Sequence, residues 1–157
     1  MRKIFLIPIV WISIIYTSYS QDKSHFDFII VVDEVIITSL NNPKLMIRKE
    51  NELLSNFDIL LKPGDLSLKT TEYNLIANSS DDLYLKFDYY DYSSGKQKVY
   101  NYDIKIGKNW FEKSYIILKI YNTDKKKYKK IFNPIKGRNY TFELDYGGGS
   151  MLQIRKK

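Results

Sequence analysis

Apolar and polar residues alternate with a period of two along much of this chain, the pattern of half-buried β-strands. The alternation is cleanest between Leu83 and Ile106. Leu83, Leu85, Phe87 and Tyr89 alternate with Tyr84, Lys86, Asp88 and Tyr90. After Ser93-Ser94-Gly95-Lys96 the pattern resumes through Tyr100, Tyr102, Ile104 and Ile106. A two-residue loop at Ser94-Gly95 places Leu83 opposite Ile106, Leu85 opposite Ile104, Phe87 opposite Tyr102, Tyr89 opposite Tyr100 and Asp91 opposite Lys98. The same register sets Lys86 against Asp103, so both charge pairs are opposite in sign. A loop two residues longer would set Lys86 against Lys105, and like charges disfavour that register.

The rest of the chain carries shorter signals. Phe26 to Thr38 is rich in Ile and Val and is interrupted at Asp33-Glu34, which predicts one long strand or two short ones around a bulge or turn. Asn41-Asn42-Pro43 and Pro63-Gly64-Asp65 predict turns, with Leu45–Arg48 and Phe57–Leu61 as strands between them. Thr71–Ala77 has few β-branched residues and allows a short helix with a threonine cap. Ser114–Tyr121 puts Ile116, Leu118 and Ile120 on one face. Lys126–Phe132 predicts a heavily basic strand. Tyr140, Phe142, Leu144 and Tyr146 alternate with polar residues before Gly147-Gly148-Gly149 turns the chain into Met151–Arg155. About eight short strands at a spacing of roughly ten residues predict an all-β fold: a single antiparallel β-sandwich, with a barrel as second choice.

The first twenty residues break this pattern. Arg2 and Lys3 precede an apolar run from Ile4 to Ile15, and Ser18-Tyr19-Ser20 places small residues before Gln21. That layout predicts a cleavable signal peptide over residues 1–20 and a mature domain over 21–157. The run is about 12 residues, short of the ~20 that cross a bilayer, and no later segment is long and apolar enough, so the mature chain is expected not to be transmembrane. The expected location is the periplasm or the extracellular space. There is no cysteine, so packing alone must hold the exported domain, which fits a bacterial source better than an animal secretory one. Fourteen tyrosines against a single alanine reinforce the β assignment.

Charge is unevenly spread. Residues 21–95 carry 7 basic and 13 acidic side chains, whereas residues 96–157 carry 16 and 5. The two halves either neutralise each other in the fold or form opposite poles.

No pattern of catalytic residues, cofactor binding or metal ligation stands out. The sequence has one histidine, His25, no cysteine nucleophile, no Gly-x-Ser-x-Gly and no His-Glu-x-x-His. The acidic pairs Asp33-Glu34 and Asp81-Asp82, with Asp88 and Asp91, would serve a hydrolase only if two carboxylates faced each other across a cleft. They read more simply as turn or solvated residues. Two groups are candidates for binding. Lys125, Lys126, Lys127, Tyr128, Lys129 and Lys130 form a basic segment suited to an acidic polymer or an envelope or extracellular protein, or else to guarding an edge strand. Tyr84, Tyr90, Tyr92 and Trp110 are candidates for stacking on sugar rings. Nucleic acid is not an expected partner outside the cytoplasm. The expected function is a non-catalytic, exported protein–protein interaction or binding role, with a carbohydrate-binding module and a carboxylate hydrolase as alternatives.

Overall fold

A computed structural model describes residues 22–50, 52–93, 95–153 and 155–156. The segment read as a signal peptide lies outside them. Eleven strands are present among the described residues: β1 (Lys23–Val32), β2 (Val35–Ile36), β3 (Asn41–Lys49), β4 (Glu52–Asp58), β5 (Leu60–Lys62), β6 (Gly64–Lys69), β7 (Asp82–Asp91), β8 (Lys98–Ile106), β9 (Ile116–Asn122), β10 (Tyr140–Tyr146) and β11 (Gly149–Met151). Helix α1 (Thr70–Asn78) joins β6 to β7, a 3-10 turn (Lys108–Glu112) follows β8, and the single turn α2 (Lys126–Lys129) follows β9. No helix among the described residues is long and apolar enough to cross a membrane.

The strands form two sheets and no closed barrel, an arrangement that fits a sandwich. One sheet has the order β11-β10-β9-β1-β6-β5, with β2 also on β1; the other is β4-β3-β7-β8. The chain changes sheet four times, between β2 and β3, β4 and β5, β6 and β7, and β8 and β9, and the β4–β5 crossing takes a single residue, Ile59. Inward residues from both sheets merge into one buried cluster. Phe28, Ile30, Val32, Leu118 and Ile120 meet Leu83, Leu85, Phe87, Tyr102 and Ile104 there.

The β7–β8 register is the expected one, from Leu83 opposite Ile106 to Asp91 opposite Lys98. Strand pairing stops at that last pair, so the connection is longer than two residues. Three other expectations need correction. The sandwich is not wholly antiparallel: β9 runs parallel to β1, pairing Phe28 with Ile116 and Val32 with Ile120. Asn41-Asn42-Pro43 is not a free turn but the irregular start of β3, where the register shifts between Asn41 and Lys44. Lys126–Phe132 is not a strand. Its first four residues form α2, because Tyr128 and Phe132, four apart, share a helical face and both pack on the Tyr121 ring, at 5.2 and 4.6 Å. The short helix near 71–77 is present as α1, with Lys69 rather than a threonine at its cap.

A polar link crosses the core. Tyr102 on β8 is fully buried and donates its hydroxyl to Asn122 Oδ1 on β9 at 2.9 Å, joining the two sheets. Replacing Tyr102 with Phe leaves that amide oxygen without its donor. A loss of about 1–2 kcal/mol is expected, read as a lower urea midpoint at unchanged m-value.

Candidate functional site

One end of the sandwich gathers the β1–β2 turn, the tip of the β7–β8 hairpin and the segment leaving β9. At the turn, Asp33 and Glu34 both adopt positive φ, 51° and 71°. This is the twist a two-residue hairpin turn needs, and Asp tolerates it better than most residues. The turn aims the Asp33 carboxylate at β9. Its Oδ1 accepts the Asn122 backbone N–H at 2.8 Å, and its Oδ2 accepts Asn122 Nδ2 at 2.8 Å. Lys125 then reaches back between the sheets. Its Nζ lies 2.8 Å from Asp33 Oδ2 and 2.7 Å from Asp91 Oδ2, at the end of β7. Asp91 Oδ1 also accepts the Ser93 N–H at 2.8 Å. The Asp33 and Asp91 side chains are only 8% and 9% exposed, and Lys125 is 31% exposed.

The electrostatics follow from these contacts. Burial pushes the Asp91 carboxyl up, but the Lys125 ammonium and the Ser93 amide outweigh it and bring the pKa down to about 2. Burial acts downward on Lys125, and its two carboxylate partners more than reverse this, so its ammonium is held more firmly than usual. Burial raises the Tyr89 and Tyr102 hydroxyls. Chemically this is a charge clamp. Asp91 has no proton to give at neutral pH, and both carboxylates are committed to the same lysine. The other acidic candidates are also engaged: Asp88 accepts from Asn42 and Asn101, Asp82 pairs with Lys105, and Asp81 closes a turn with Ser79. Among the described residues no group of three or more His, Asp or Glu side chains converges on a metal position.

The clamp divides the basic segment. Lys125 is inside it, Lys127 pairs with Glu34, and Tyr128 is buried beneath α2. Lys126, Lys129 and Lys130 remain exposed. At this end of the molecule the acidic and basic halves of the sequence neutralise one another, since Asp33, Glu34 and Asp91 meet Lys125 and Lys127.

Beside the clamp lies an open cleft of about 590 Å³. Val35 and Ile36 form one wall; Tyr89, Tyr90, Tyr92 and Gln97 form the other. Val35 and Ile36 are 55% and 61% exposed, and Tyr92 is 64% exposed. The Ile37 N–H donates to Ile30 O, so by strand alternation the N–H and C=O of Ile36 point away from β1. Among the described residues β2 pairs with β1 alone, which leaves that edge open. Scans against protein-family models, curated proteins and solved structures return no match.

Of the four sugar-stacking candidates, the structure brings only Tyr90 and Tyr92 together. Tyr84 lies six residues back along β7, roughly 20 Å at strand rise, and the Arg48 guanidinium caps its ring at 4.5 Å. Trp110 sits at the opposite end of the fold. Sequence reasoning missed Tyr89, Gln97 and Asn122. It also set Asp91 against Lys98, and although the backbones pair so, Asp91 bonds Lys125 while Lys98 bonds Asp124. The interruption at Asp33-Glu34 was the one local signal of the clamp.

Proposed function

We propose that this chain is a non-catalytic, exported binding protein that takes an extended segment of a partner protein into the cleft beside β2. The open edge of β2 carries this reading. An incoming strand would pair with the outward N–H and C=O of Ile36 and set alternate side chains against Val35, Ile36 and the tyrosine wall. Main-chain bonds of this kind supply affinity, and the side-chain pockets supply selectivity. Export itself rests on the leader-like residues 1–20.

The test is selection of peptides from a displayed random library on the full chain. Enriched peptides are expected to carry apolar residues at alternate positions. Ile36→Pro removes the outward N–H and no inward bond, so it is expected to weaken them about tenfold at unchanged circular dichroism. Equal binding by the proline variant would overturn the reading. The cleft walls named above are uncharged, so this binding should change little with salt. Capture through Lys126, Lys129 and Lys130 would instead fade as salt rises.

A second reading rests on Tyr90 and Tyr92 lining that same cleft together with Tyr89 and Gln97. A neutral oligosaccharide that binds wild type and fails on Tyr92→Ala, with no peptide enriched, would favour it.

A further inference from the structure

The sandwich holds a second pocket at the end away from the clamp. There β8 finishes at Ile106 and leads through Gly107 into the 3-10 turn, while β10 finishes at Tyr146, opposite Ile116, and turns over glycines into β11. Between them is a pocket of about 350 Å³, within the ~300–1,000 Å³ that small ligands use. Trp110, Tyr146 and Met151 wall it, and Asn109, Lys113 and Ser150 add polar groups.

Two glycines set the walls. A side chain at Gly107 would meet Trp110 Nε1 at 3.0 Å, and one at Gly149 would meet the Tyr146 ring at 3.2 Å. Both aromatic rings therefore rest on bare backbone, and both also pack against the core. The Lys113 ammonium stands 5.3 Å from the Tyr146 ring centroid, and among the described residues no carboxylate pairs with it. No acidic residue lines the pocket.

We propose that this pocket binds an acidic monosaccharide residue of the hexuronic acid type. The C–H face of the pyranose lies on Trp110, its carboxylate meets Lys113 above the Tyr146 ring, and its hydroxyls meet Asn109 and Ser150. The aromatic wall favours an apolar face, and Lys113, the one cation that lines the pocket, favours an anion. The neutral amide and hydroxyl offer hydrogen-bond partners that a sugar's hydroxyls can use and an aromatic acid cannot. This site is separate from the peptide cleft and stands or falls without it.

The test is a titration of the full chain with glucuronate, glucose, benzoate and acetate, followed by the indole N–H resonance of Trp110, assigned by its loss in W110F. Glucuronate is expected to shift the peak saturably, with glucose at least tenfold weaker. K113M, changed at a half-buried lysine off the core, should bring glucuronate down to the level of glucose, about a tenfold loss. Lys113→Arg should restore most of it. No saturable shift with glucuronate, or equal glucuronate affinity in K113M, would overturn the proposal. A shift with benzoate but not glucuronate would also overturn it, in favour of an aromatic acid, and a shift with acetate alone would reduce the site to an unselective anion contact.

Discussion

Lys125→Met should destabilise the protein by about 3 kcal/mol at neutral pH, the scale expected when one partner of a largely buried ion pair is removed. The methionine keeps the stem of the side chain, so the loss isolates the charge. Asp33 and Asp91 would be left facing each other with no cation between them. The deficit should depend on pH in a defined direction. Asp91 has a folded pKa of about 2 against an ordinary value of 3.8. A lowered carboxylate stabilises the fold above the unfolded value, and that stability is lost as pH falls through the folded one. For Asp91 this is about 2–3 kcal/mol, from ~1.4 kcal/mol per unit. The gap between wild type and Lys125→Met should therefore be full at pH 6–7 and narrow between pH 4 and 2. Urea denaturation at pH 7, 4 and 3 checks this. A gap that does not change with pH would mean that the lysine acts through packing alone.

The clamp also shows which features the sequence could reveal. The β7–β8 register was readable because its determinants are local: alternation over two neighbouring strands and opposite charges facing across them. The interruption at Asp33-Glu34 was readable as a turn for the same reason. The partners of that turn were not. Asp33 and Asn122 are 89 positions apart, joined because β9 returns parallel beside β1 after the whole four-stranded sheet has been laid down. No periodicity specifies which strand returns beside which. The basic segment failed differently. Its lysines suggested a guarded edge strand, whereas the spacing of Tyr128 and Phe132, an apolar pair at i and i+4, carried the helical signal. Counting charge obscured that spacing. Charge also misled at Asp103, whose expected partner Lys86 lies opposite it, while its carboxylate binds Arg48 at 2.8 Å and Arg138 at 2.9 Å. Strand register fixes backbones, and long side chains then choose among all cations within reach.

Asp33→Asn should cost about 2–3 kcal/mol although it changes no shape, because hydrogen bonds to charged groups are worth that much. Asparagine tolerates the positive φ of the turn, so backbone strain does not enter. The loss comes from donors with nowhere to go. Both carboxylate oxygens accept, Oδ1 from the Asn122 N–H and Oδ2 from Asn122 Nδ2 and Lys125 Nζ. Whichever way the new amide turns, its NH2 group meets a donor. In the Lys125→Met background the same substitution should cost less, since a neutral amide relieves a carboxylate that has lost its cation. The double-mutant cycle is thus expected to give a coupling of at least about 1 kcal/mol, as groups in one network do, while additive losses would mean that the turn and the lysine act independently. The cleft should register the change too. Asp33 holds the turn that presents β2, so Asp33→Asn is expected to weaken cleft-binding peptides while glucuronate still shifts Trp110 at the far end. If both ligands weaken together, the whole fold has loosened and the clamp is not a local support of the cleft.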